Sequence, residues 1–196
     1  ILGARLGYVL FYDLSVYLAD PLEIFRVWNG GMSFHGGLLG VVLATWLWGR
    51  RHGRSLIDIL DFVAPLVPTG LFFGRMGNFI NAELWGRPTD SMFGMVFPGA
   101  GDMPRHPSQL YEAGLEGLLT FAILWIYSSR PRPRGCVAGL FAILYSLSRM
   151  SVEFFRVPDP QIGYLLGGWL TMGQLLCLPL LCAGVWLFAG GMRKAR

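Results

Sequence analysis

Charged residues are scarce in this chain. Of its 196 residues only 14% are Asp, Glu, Lys or Arg, while 54% are hydrophobic. An average soluble domain carries about 25% charged residues and about 45–50% apolar ones. The deficit excludes a soluble enzyme, a disordered chain and a disulfide-stapled secreted domain. Lysine is nearly missing: fifteen of the sixteen basic residues are Arg, and Lys194 is the exception. The arginines lie in short loops or inside apolar stretches and form no stripe for nucleic acid, so no nucleic-acid partner is expected. Cysteine is limited to Cys136, Cys177 and Cys182, an odd number in apolar surroundings without CxxC spacing. That excludes a disulfide framework, and the three read as small apolar residues. Metal-ligand spacing, a P-loop, a Gly-rich dinucleotide turn and a Gly-x-Ser-x-Gly elbow are missing too. Neither a metal nor a cofactor is expected. The chain opens at Ile1 inside an apolar run, with no readable signal peptide, as expected of part of a longer protein.

What is present is hydrophobic length. Mean hydropathy is +0.49, and the 27 glycines are too many for a Leu-rich soluble bundle. The fold class expected is all-α: a polytopic helical membrane protein. About 20 consecutive apolar residues are needed to span hydrocarbon as a helix. Six stretches qualify, at about 1–19, 34–49, 57–83, 108–127, 136–155 and 164–190. The second is short. The third contains Pro65 and Pro68, which predict a kink or break. Turn chemistry separates the spans, at Asp20-Pro21, Gly30-Gly31, Arg87-Pro88, Pro98-Gly99 and Pro158-Asp159-Pro160. No repeat occurs, so residues 1–196 are expected to form a single transmembrane domain. Basic residues orient it. Arg50, Arg51, Arg54, Arg130, Arg132, Arg134, Arg193, Lys194 and Arg196 fall on one side, and Arg26, Arg87, Arg105 and Arg156 on the other. The first side is therefore cytoplasmic, and loops at about 20–33, 84–107 and 156–163 face outside.

Polar residues gather at one depth. Charges within a membrane are costly and mark functional sites with partners. His35 opens span two at its outer end. Arg75, Asn78, Asn81 and Glu83 occupy the outer end of span three. His106 precedes span four, whose outer half holds Glu112 and Glu116. Arg149 and Glu153 lie at the outer end of span five, one turn above Tyr145. Tyr145, Arg149 and Glu153 are spaced i, i+4, i+8 and share a helix face. Taken alone, an Arg149–Glu153 pair serves equally well as a bundle lock. Arg75, Asn78 and Glu83 share a broad arc, with Asn81 turned away. Glu112 and Glu116 repel unless a cation lies opposite or one is protonated. Glycines flank His35, and Gly36 and Gly37 allow another chain or a ligand to come close. Gly36 and Gly40 also form a small-xxx-small pair suited to plain helix packing. Asp58 and Asp61 are expected to pair with Arg54 or to favour a helix N-terminus. Trp28, Trp85 and Trp169 read as interfacial belt residues.

Two arginines on different helices near headgroup level suit a phosphate, because guanidinium stays charged and binds it bidentately. A phospholipid is the phosphate at that depth. A nearby His suits proton abstraction. No resident nucleophile is convincing, so the nucleophile belongs to a second substrate. The residues thus read as transfer chemistry on a phospholipid at the outer face. A flippase would spread polar groups across both leaflets and the midplane, and an assembly protein would use the pairs only as locks.

Longer motifs carry a resemblance. The run Gly74-Arg75-Met76-Gly77-Asn78-Phe79-Ile80-Asn81-Ala82-Glu83-Leu84-Trp85-Gly86 resembles the signature of the prolipoprotein diacylglyceryl transferases. His35-Gly36-Gly37-Leu38, His106-Pro107-Ser108-Gln109-Leu110-Tyr111-Glu112 and Arg149-x-x-x-Glu153-Phe154-Phe155-Arg156 resemble that family's motifs, in its order. The resemblance implies a bacterial inner-membrane enzyme acting near the outer leaflet. Its substrates would be phosphatidylglycerol, among the membrane lipids, and a prolipoprotein signal peptide bearing a lipobox cysteine. The diacylglyceryl group moves to that thiol as a thioether and glycerol phosphate leaves, without metal or nucleotide, as the first step of lipoprotein maturation. Family members carry seven helices, the first of them, with a functionally important Tyr, ahead of the point where this chain begins. Six spans agree with that. On this reading Arg75 and Arg149 hold the phosphate, His35 or else His106 is the base, and Glu153 orients Arg149. Glu83 orients Arg75 or meets the headgroup. Asn78, Asn81, Tyr145, Glu112, Gly36 and Gly37 complete the expected binding set.

Overall fold

The computed structural model describes residues 1–11, 17–18, 20–29, 33–157, 165 and 170–194. The expected turns at Gly30-Gly31 and Pro158-Asp159-Pro160, and Trp169, lie outside these residues. The regular elements among the described residues are helices, joined by loops of which 81–107 is the longest, with isolated bridges (Gly86–Arg156, Pro88–Arg105 and Met95–Arg105) in place of strands. They form two compact units, Ile1–Ile59 and Leu60–Arg196.

In the first unit α1 (Leu2–Phe11) packs on α2 (Phe34–Arg51). The crossing is nearly backbone to backbone. A Cβ on Gly36 would lie 2.3 Å from the Gly3 carbonyl oxygen, and one on Gly3 would lie 2.9 Å from the Gly40 Cα. Gly36 and Gly40 therefore serve helix packing, and Gly37 meets Ala4 at ordinary contact. Ser33 caps α2, its hydroxyl accepting from the Gly36 N–H at 3.2 Å. Two short 3-10 turns, Pro21–Phe25 and Val27–Asn29, intervene. Their carbonyls satisfy Arg5, buried at 3% exposure, which donates to Glu23 (2.5 Å), Ile24 (3.0 Å) and Arg26 (3.2 Å). Next comes α3 (Leu56–Val63), where Asp58 and Ser55 cap each other, so Asp58 does favour a helix start.

The second unit continues with α4 (Val67–Ile80), bent by 52° from α3 at Pro65. The expected break is there. Proline removes a helical N–H and fits the first turn of the next helix, where Pro68 sits. Then follow α5 (108–128, with a π-helical middle over Ala113–Leu119), α6 (Cys136–Glu153) and α7 (Met172–Lys194). Tight crossings use glycine again. A Cβ on Gly117 would lie 2.7 Å from the Phe72 Cβ, and one on Gly139 would lie 2.7 Å from the Phe188 N. Asp61 spans to another element, accepting from the N–H groups of Gly135 (2.5 Å) and Ala138 (2.8 Å) at the start of α6. A small core of Ala64, Leu124 and Val137, with Tyr127, Leu140, Phe141 and Leu144, fills that end of the bundle. Cys136 and Cys177 are buried free thiols, the latter near Arg149 and Glu116, and Cys182 is exposed.

Three helices, Ser108–Ser128, Cys136–Glu153 and Gly173–Lys194, are long and apolar enough to cross a membrane, or four if α3 and α4 form one bent span. The described residues thus give three to four spans, against the six expected. The ten described residues of α1 reach about 15 Å, half the hydrocarbon thickness. α2 has the length, but His35 and the terminal Arg50 and Arg51 lower its hydropathy.

Candidate active site

Three arginines and three glutamates converge where α4, α5 and α6 meet. Glu112, fully buried, is the hub: it pairs with Arg75, with Arg156, and with Arg149 at 3.2 Å. Glu153 pairs with Arg149 at 3.1 Å and with Arg156 at 3.5 Å. Glu116, also fully buried, lies 3.9 Å from both Arg75 and Arg149, and neither of its oxygens has a hydrogen-bond partner. An unpaired charge in such a place is strongly unfavourable. Three formal positive and three formal negative charges cancel.

The two signs differ in depth. The Glu112 and Glu116 side chains are at 0% exposure and Glu153 at 6%, while Arg75, Arg149 and Arg156 keep 22%, 15% and 11%. The acids lie deeper than the guanidinium groups they hold, and the arginine side chains keep the exposed surface that an arriving anion would meet. Local helix geometry assists. Glu112 with Glu116, and Arg149 with Glu153, are one turn apart. The π-helical turns that carry Glu116 are a form found often at functional sites.

The turn after α4 extends the cluster. Arg75 donates to Asn78 at 3.4 Å, and Asn78 donates to Glu83 at 2.8 Å. Glu83 therefore acts on Arg75 through Asn78. The helix closes with the Glu83 N–H on the Asn78 carbonyl, a Schellman closure with Ala82 at φ 53° where glycine is usual. Leu84 also has positive φ, 58°. Such residues cost about 1–3 kcal/mol each and persist only where surroundings over-determine them. Here Gln109 donates to the Glu83 carbonyl at 2.6 Å and Ser108 to the Leu84 carbonyl at 3.1 Å. Gly86 follows, and a Cβ there would lie 2.5 Å from the Phe155 carbonyl oxygen. Arg87 ties the loop to the end of α6, donating to the Arg156 carbonyl at 2.6 Å.

Other expected residues stand apart from the ion cluster. Asn81 is the exposed C-cap of α4. Tyr145 is the exception: it stacks on Phe141 and lies within electrostatic reach of Glu116, Arg149 and Arg75. His106 touches the Tyr111 hydroxyl at 3.2 Å and meets the Phe155 ring edge-on at 5.1 Å. It borders an apolar cavity of about 510 Å³ with Phe93, Tyr111, Leu115, Val152 and Phe155. His35 is the second residue of α2, and its side chain lies outside the described residues. Trp85 stacks on Phe97, while Trp28 is exposed as a belt residue would be. Among the described residues no group of three or more His, Cys, Asp or Glu is arranged to hold a metal.

Sequence reasoning missed two members. Arg156 is read from the sequence as an outer-loop charge and as the end of a motif, with no role in the site, although its i, i+3 spacing from Glu153 points there. Thr171 passed unnoticed. It donates to Glu153 at 2.9 Å, from a Thr-x-x-Gln start of α7 that is itself a capping pattern.

Comparison with known proteins agrees with this geometry. The family model for prolipoprotein diacylglyceryl transferase matches residues 1–190. A phosphatidylglycerol–prolipoprotein diacylglyceryl transferase of Nitratidesulfovibrio vulgaris (strain DP4) is 64% identical over 194 residues, 99% of this chain and 74% of that protein. Those of Oleidesulfovibrio alaskensis and Pseudomonas aeruginosa (strain LESB58) are 60% and 59% identical, covering 100% and 99% of this chain and 73% of each relative. A helical membrane protein with an arginine cluster held by buried acids, this chain belongs to the prolipoprotein diacylglyceryl transferase family.

Proposed function

We propose that this chain is a transferase that moves the diacylglyceryl group of phosphatidylglycerol to the lipobox cysteine of a prolipoprotein signal peptide. The observation that carries the reading is the arginine triad, partly exposed and backed by buried carboxylates. Arg75 and Arg149, joined by Arg156, receive the phosphodiester and stabilise it as it leaves. The peptide thiol attacks the glycerol carbon in line. A C–S bond forms, the C–O bond to phosphate breaks, and the thiol proton is handed on as glycerol phosphate departs. Because an ordinary thiol has a pKa near 8.5, this step needs a base or a positive field. His35 is the first choice for base and His106 the second. Glu153 and Glu112 orient the guanidinium groups, and Asn78 aids Arg75. The transfer as written consumes no cofactor.

The same reading puts six spans of this chain in the bacterial inner membrane, with the site towards the outer leaflet. It is supported by the four polar-bearing segments at one depth and by the basic loops opposite. The test is transfer of labelled phosphatidylglycerol to a lipobox peptide. Wild type is expected to transfer label, while Arg149→Ala enzyme and a Cys-to-Ser peptide are not. Label transfer to the serine peptide, or full activity in Arg149→Ala, overturns the reading.

A further inference from the structure

Glu153 has a second anchor that the transfer chemistry does not explain. Its Oε2 faces Arg149 and Arg156, while its Oε1 accepts from the Thr171 hydroxyl at 2.9 Å. That hydroxyl accepts in turn from the Gln174 N–H at 3.3 Å, and the Gln174 side chain accepts from the Thr171 N–H at 3.2 Å. This is a reciprocal capping box at the start of α7, buried at 3% and 2% exposure. A hydroxyl has one proton, and here the protein gives it to Glu153. Gly173 leaves room for the carboxyl group: a Cβ there would lie 3.0 Å from Oε1. The positive end of α7 faces the same carboxylate.

We propose that Thr171 is a positioning residue for the transfer reaction, acting through Glu153 on Arg149. With Oε1 tied to Thr171, Glu153 offers only Oε2 to the arginines. Arg149 then meets Glu153 through Nη2 alone and Glu112 through Nη1, and its remaining N–H groups are left for phosphate. Released from Thr171, the carboxylate can turn both oxygens onto Arg149 in the bidentate pairing that guanidinium favours, and compete with the substrate. The inference rests on the phosphate-clamp reading of Arg149.

Three replacements separate this role from simple helix capping. Thr171→Ser keeps both the cap and the donated proton. Thr171→Gly keeps most of the cap, since glycine is tolerated at such positions, but has no proton to give. Thr171→Asp caps as well as Thr and brings a carboxylate opposite Glu153. Transfer from phosphatidylglycerol vesicles to a lipobox peptide is measured for each, with thermal melting in detergent. Wild-type activity is expected for Ser. For Gly a roughly tenfold fall in kcat/KM is expected, the scale of one hydrogen bond to a charged group. Asp is expected to lose at least as much and decides the matter if the Gly variant does not fold. Thr171→Gly added to Glu153→Gln should cost nothing beyond Glu153→Gln alone. Wild-type rates in both Gly and Asp, or full additivity with Glu153→Gln, overturn the proposal while leaving the transferase reading intact. A folded wild type that transfers nothing overturns both.

Discussion

Glu112 shows how much one side chain is asked to do. Fully buried, it is the one acid among the described residues that pairs with all of Arg75, Arg149 and Arg156. Glu112→Ala removes the hub and leaves buried positive charge, so a loss of about 3–5 kcal/mol is expected. It is checked by thermal melting in detergent, with transfer abolished. Arg149→Lys keeps the charge but loses the planar fork that meets Glu112, Glu153 and the phosphate. Its kcat/KM is expected to fall about 100-fold with the melting point little changed; wild-type kinetics would remove the fork from the mechanism. The Arg149–Glu153 pair was legible because i, i+4 spacing is local geometry. The pairing of Glu112 with three arginines from two other chain segments was not, since no periodicity says which helix faces which. The sequence posed the problem of two adjacent acids; packing answered it with cations.

At the scale of elements, α4 and α5 must touch for Arg75 to reach Glu112, and Gly117 is where they do. Its missing Cβ would lie 2.7 Å from Phe72. Gly117→Leu is therefore expected to push α4 off α5, costing about 1–3 kcal/mol from overpacking and most of the transfer activity. Gly70, on the same α4 but with nothing within 4 Å of a Cβ, is the control. Gly70→Ala is expected to melt no lower than wild type, since alanine favours the helix by about 0.5–1 kcal/mol. Equal melting losses in the two variants would mean that Gly117 is not a contact. The break at Pro65 was legible because proline acts on its own helix. The π-helical stretch at Ala113–Leu119 was not: its residues are ordinary helix formers, and the widening is set by neighbours. Asp61 is intermediate. A role at a helix start was expected, but the helix it caps is α6, 74 residues further on.

For the molecule as a whole, the proposed topology can be read from its two faces. Met92, exposed at 91% in the outer loop, and Arg130, in the Arg-Pro linker, fall on opposite sides of the proposed membrane. With the native cysteines replaced by alanine, Met92→Cys in intact spheroplasts is expected to react with an impermeant maleimide. Arg130→Cys is expected to react only after lysis. The reverse pattern would invert the orientation and move the arginine cluster to the cytoplasmic leaflet.

The class of environment, the helical content and the chemistry are all legible in the amino-acid sequence. Low charge, long apolar runs, helix-spaced Arg and Glu, and a thirteen-residue motif are properties of composition and local spacing. Packing alone brings Arg156 to Arg75 and Arg149, sets His106 between Tyr111 and Phe155, and carries Thr171 to Glu153. Those outcomes depend on which helix faces meet. They are set by a few close crossings, at Gly117, Gly139 and Gly86, where the lack of a side chain lets backbones approach. Buried charges then take whatever partners that approach brings within reach.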